Sequence, residues 1–178
     1  MGGRHVLVLG GARSGKTGFA ERLAMGAGLT PAYLATAEAL DSEMRERVES
    51  HRRQREGRFE TIEEPLALPA ALRKATGHHD AVLVDCLTLW ITNLLGAGQD
   101  VAQAVDELIA TLAEIEASRV ILVSNEVGLG IVPDNPLART FRDLAGSAHQ
   151  RIAEICDDVY FVVAGLPLTL KGAPPEQN

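Results

Sequence analysis

The sequence predicts an α/β protein: one mostly parallel sheet with helices on both faces. Three observations predict it. Short apolar, valine-containing runs alternate with longer stretches of helical period, as in HVLVL (residues 5–9), AVLVD (81–85) and RVILVS (119–124). Hydrophobic residues make up 46 % of the chain and aromatics only 4 %, so Ala, Val, Leu and Ile must build the core, which suits buried parallel strands. Finally, the first apolar run leads through GGARSGKT into a stretch whose Phe19, Ala20, Leu23 and Ala24 share a helical face.

That strand–loop–helix context is what the pattern G-x-x-x-x-G-K-[ST] requires of a phosphate-binding loop. Here it comprises Gly10, Gly11, Ala12, Arg13, Ser14, Gly15, Lys16 and Thr17. Its glycines let backbone N–H groups turn inward around a phosphate. The helix start adds free N–H groups and the positive end of a dipole. Lys16 supplies a mobile charge for the β- and γ-phosphates, and Thr17 a hydroxyl for Mg²⁺.

The 178 residues suffice for one domain with a sizeable core, expected over residues 1–172 with a flexible tail at 173–178. A net charge of −7 argues against a nucleic-acid-binding surface. No apolar stretch reaches the ~18 residues of a membrane span, and the first strand begins too early to leave room for a signal peptide. Cys86 and Cys156 lack metal-type spacing and read as buried free thiols. A cytoplasmic enzyme is expected.

In order, the next strand covers residues 32–35 and ends at Thr36, Ala37 and Glu38. Residues 41–56 are helical and highly charged; Leu40, Met44 and Val48 make a packing seam, and Arg47, His51 and Arg55 a second row at i, i+4. A short strand (59–63) and a helix (66–75, Pro69 in its first turn) follow. AVLVD then delivers Asp85 at a strand end. Behind a phosphate loop this acid is placed to hold Mg²⁺; alternatively it caps the helix at 87–95. After a helix over 101–117 and the strand at 119–124 comes NEVGLGIVPDNP (125–136). It is read as a substrate-covering loop, or else as an ordinary long connection. The helix at 137–155 carries Arg139, Arg142 and Arg151, some expected to face phosphate and others solvent. Residues 159–163 form the last clear strand.

The motifs alone admit a small-metabolite or nucleotide kinase, or a non-catalytic nucleotide-binding module. A signalling GTPase is excluded, because the chain has no guanine-reading N-K-x-D.

Four stretches narrow the choice: GGARSGKT from Gly10, AYLATAEALDSEMRERVESHRRQR from Ala32, AVLVDCLTLWITNLL from Ala81, and NEVGLGIVPDNPLARTFRDLAGSAHQRIA from Asn125. Together they resemble the bifunctional adenosylcobinamide kinase / adenosylcobinamide-phosphate guanylyltransferase family, over nearly the whole chain. The resemblance implies a P-loop fold of the RecA type. It implies phosphorylation of adenosylcobinamide by a nucleoside triphosphate, ATP or GTP. Transfer of GMP from GTP to that phosphate follows, with release of pyrophosphate, in the assembly of coenzyme B12. A homotrimer is implied too. The family's guanylylated histidine matches His51; some relatives have a second histidine just before it, where this chain has Ser50. Like charge from Arg47, Arg52 and Arg55 is expected to keep that imidazole neutral. Nucleotide contacts carry over to the P-loop residues, to Thr36, Ala37 and Glu38, to Arg52, Arg53, Gln54 and Arg55, to Glu63 (with Glu64 beside it as the alternative) and to Asp85.

Overall fold

A computed structural model describes residues 4–27, 30–38 and 57–175. The expected helix at 41–56, with His51, Arg52, Arg53, Gln54 and Arg55, lies outside the described residues.

The strands are β1 (Val6–Gly10), β2 (Pro31–Ala35), β3 (Glu60–Glu63), β4 (Ala81–Asp85), β5 (Arg119–Asn125), β6 (Asp158–Val163) and β7 (Leu166–Lys171). They form one sheet in the order β3-β2-β4-β5-β1-β6-β7. Every pairing is parallel except β6 with β7. The described helices are α1 (Lys16–Ala27), α2 (Leu68–Thr76), α3 (Leu87–Gly96), α4 (Val101–Glu114) and α5 (Pro136–Ile155).

The central strands β1, β2 and β4 are buried almost throughout, so their sequences are continuous apolar runs rather than alternating ones. The two sheet faces are covered unequally. Among the described helices, α1 alone packs on one face, through Phe19, Ala20 and Ala24 against Val6, Val8, Leu83 and Ile121. The other four bury Leu72, Trp90, Leu108 and Ile152 against Leu7, Leu34, Val84 and Leu122.

Several boundaries move for identifiable reasons. Helix α2 begins at Leu68 rather than residue 66, because the Glu64 carboxylate accepts the N–H groups of Leu66 (3.0 Å) and Ala67 (2.8 Å) ahead of the helix. Pro69 falls in the first turn, where its missing N–H costs nothing. Helix α4 ends at Glu114, three residues before the expected end at 117. Strand β7 was not anticipated. It is an edge strand whose Leu166, Leu168 and Leu170 are exposed, so no buried apolar face marks it, and Pro167 is tolerated there.

Candidate active site

The C-terminal ends of β1, β4 and β5 converge on the loop that joins β1 to α1. Gly10 ends β1, and a side chain there would have its Cβ 2.5 Å from Ser14 Oγ and 2.7 Å from the Val162 carbonyl, so only glycine fits. The loop turns through two left-handed residues, Arg13 at φ 55° and Gly15 at φ 90°, in the manner of a nest of inward N–H groups. The β6–β7 turn braces it from the side: Gly165 N–H donates to Ser14 O at 2.7 Å. Helix α1 has no acidic residue in its first turn, which leaves its positive end unneutralised for an anion.

Lys16 is buried at its stem, and its ammonium donates to Gly11 O at 3.0 Å. Thr17, one residue on, donates its hydroxyl to Asp85 Oδ2 at 3.1 Å, and the Tyr33 hydroxyl donates to the same oxygen at 2.6 Å. Asp85 therefore faces the phosphate loop. It does not cap α3, whose cap position is Cys86 and carries no side-chain cap bond. A hydroxyl and a carboxylate oxygen in contact at the start of α1 are the hard donors Mg²⁺ prefers, with remaining positions left to water and phosphate. Among the described residues there is no cluster of three His, Cys, Asp or Glu side chains that could hold a metal ion.

The remaining expected contacts separate by location. Thr36 is fully buried, and its hydroxyl is engaged on both sides, donating to Cys86 O (2.7 Å) and accepting from Cys86 N–H (2.9 Å). Its carbonyl accepts from Asn93 Nδ2 at 2.8 Å. Ala37 and Glu38 continue past the strand end, half-buried. Glu63 ends β3 in register with Ala35, which pairs with Asp85 on its other side, so both acids stand on one sheet edge. Glu64 is committed to the two backbone N–H groups before α2. The arginines of α5 are engaged locally: Arg139 with Pro133 O and Asp134 O (both 2.7 Å), Arg142 with Asp143, Arg151 with Asp106.

Sequence reading missed three groups here. Tyr33, the one aromatic in β2, reaches Asp85; a tyrosine within a wholly buried run was the available signal. His149 Nε2 lies 2.7 Å from Ser124 Oγ, both buried at the end of β5. Burial lowers the His149 pKa, and Glu126 opposes that shift less strongly. Glu126 itself follows β5 and donates its N–H to Gly10 O at 3.0 Å.

The loop from Glu126 to Asn135 carries exposed Leu129, Ile131 and Val132, with Ile131 98 % accessible. Cys86 and Cys156 are buried free thiols; burial raises both pKa values, that of Cys156 to about 12. No helix among the described residues is long and apolar enough to cross a membrane.

Comparison with known proteins agrees with this geometry. Residues 6–170 match a family model described as cobinamide kinase / cobinamide phosphate guanyltransferase. A bifunctional adenosylcobalamin biosynthesis protein CobP from Pseudomonas aeruginosa is 52 % identical, over 94 % of this chain and 98 % of that protein. The bifunctional adenosylcobalamin biosynthesis protein CobU of Salmonella typhimurium is 40 % identical, over 93 % of this chain and 99 % of its own. Among solved structures, flagellar accessory protein FlaH from Methanocaldococcus jannaschii superposes with a TM-score of 0.60 at 16 % identity, covering 96 % of this chain and 79 % of that one. A KaiC-like protein from Pyrococcus horikoshii gives 0.55, also at 16 % identity, covering 90 % and 71 %. These two likenesses concern the RecA-like P-loop fold alone.

Proposed function

This chain belongs to the cobinamide kinase / cobinamide phosphate guanyltransferase family and is a transferase, and from that premise we propose that it phosphorylates adenosylcobinamide with ATP or GTP and then transfers GMP from GTP to the new phosphate. The observation that supports this most is the meeting of Lys16, Thr17 and Asp85 at one sheet edge in a chain 52 % identical to a bifunctional relative over nearly its full length.

Both reactions break a phosphoanhydride bond, so one cradle serves both. Loop N–H groups and the start of α1 hold the phosphate chain. Lys16 exchanges Gly11 O for phosphate oxygens. Thr17 and Asp85 would hold Mg²⁺, which would supply positive charge to offset that of the triphosphate. Thr36 acts through the backbone, fixing the strand end from which Ala37 and Glu38 reach the nucleotide, and Glu63 meets it from β3. In the second reaction, neutral His51 attacks the α-phosphorus and pyrophosphate leaves. A P–N bond then carries GMP until the corrinoid phosphate displaces the histidine. Arg52, Arg53, Gln54 and Arg55 complete the nucleotide contacts, and the loop after Glu126 lays its aliphatic side chains over the corrinoid. The same reading includes a cytoplasmic homotrimer.

The test is incubation with labelled GTP, with and without adenosylcobinamide. Wild-type protein takes label from α-labelled but not γ-labelled GTP, and acid releases it while base does not, as for a phosphoramidate. His51→Ala loses the label and adenosylcobinamide-GDP but keeps most kinase activity. Undiminished labelling of that variant would exclude His51.

A further inference from the structure

We propose that Glu126 is the catalytic base of the phosphorylation step: its carboxylate holds the acceptor hydroxyl beside Gly11 and takes its proton. This rests on the kinase reading above.

Position is the first argument. Asn125 pairs in register with Gly10, and the next N–H, that of Glu126, donates to Gly10 O at 3.0 Å. The backbone of Glu126 is thereby set beside the first residue of the phosphate loop. Gly11, Glu126, Val127, Leu129, Gly130 and Phe161 line one cleft. One wall is phosphate-loop backbone and the others are largely apolar, so a hydroxyl on an apolar arm entering there meets a single acid.

The second argument is availability. Asp85 already accepts from Thr17 and Tyr33 on the α1 face of the sheet, and Glu64 holds two backbone N–H groups. Glu126 accepts the Gly128 N–H through Oε1 only, and among the described residues it forms no ion pair that would bind its charge. That one bond fixes the side chain, and Oε2 remains for substrate.

The chemistry balances. The acceptor oxygen forms a bond to the γ-phosphorus, while the bond from that phosphorus to the nucleoside diphosphate breaks and the diphosphate leaves with the electron pair. The hydroxyl proton passes to Glu126 and then to solvent. Phosphoryl transfer needs mainly positioning and a proton acceptor within hydrogen-bond reach.

Glu126→Gln separates the roles, because its amide oxygen still accepts the Gly128 N–H while its basicity is gone. Both activities are measured on one full-length preparation. Expected is a fall of about 10²–10⁴-fold in kcat for adenosylcobinamide phosphorylation, with the nucleotide KM unchanged and labelling by α-labelled GTP retained. Glu126→Asp recovers part of the rate. An unchanged kcat would overturn the assignment. So would parallel loss of phosphorylation and labelling, which would mark Glu126 as a support for the loop. Wild-type protein that labels with GTP but never phosphorylates adenosylcobinamide would remove the kinase reading itself, and the proposal with it.

Discussion

Thr17 and Asp85 lie 68 positions apart and meet in a 3.1 Å hydrogen bond, with the Tyr33 hydroxyl on the same carboxylate oxygen at 2.6 Å. The start of α1 and the end of β4 are thus joined through the two groups assigned to Mg²⁺. Asp85→Asn keeps the shape and an acceptor for both hydroxyls but removes the charge. Kinase and guanylyltransferase rates should both fall, and raising Mg²⁺ should restore part of each. A variant with wild-type rate and Mg²⁺ dependence would mean that the carboxylate only ties two elements together.

Lys16 presents a sharper case, because its ammonium now rests on a backbone carbonyl of the very loop it is to leave. Removing a charge-assisted contact costs roughly 1.5–3 kcal/mol, or about 10- to 150-fold in rate, and more where the contact tightens in the transition state. Lys16→Ala should lower both activities by at least that factor. Survival of either activity at the wild-type rate would remove that reaction from the P-loop.

How far these features were legible in the sequence depends on how local they are. The phosphate loop was fully legible, because backbone conformation, glycine positions and Lys16 all lie within eight residues. Asp85 was half legible. AVLVD announced a buried strand ending in an acid, but whether that acid caps α3 depended on which way the carboxylate turned, and its partners Thr17 and Tyr33 come from other elements. Strand β7 was hidden because an edge strand with exposed leucines has no burial pattern to read. The engagement of Glu64 was likewise invisible in the sequence: its carboxylate accepts two backbone N–H groups ahead of α2. The 125–136 loop was recognised by its length and its exposed aliphatics, but not the carboxylate at its root, since the link from Glu126 to Gly10 depends on β5 lying beside β1.

The His149–Ser124 pair supplies a prediction that does not depend on substrate. His149 is 6 % accessible, and burial lowers its pKa, with Glu126 opposing more weakly. The unfolded chain binds a proton near pH 6.5, whereas the folded one does so only at lower pH. Above about pH 6.5 both states carry a neutral ring and nothing is lost. As pH falls below that value the unfolded state takes up the proton first, so stability declines until the lowered folded pKa is passed. While the difference is a whole proton, the slope approaches about 1.4 kcal/mol per pH unit. His149→Gln removes the titration and can still offer Ser124 a hydrogen-bonding amide. Urea midpoints measured from pH 7.5 down to about 5 should fall more steeply for wild type than for the variant, whatever their offset at neutral pH. Every other residue is common to both proteins and cancels in the difference. Parallel curves would show that His149 protonates as readily folded as unfolded.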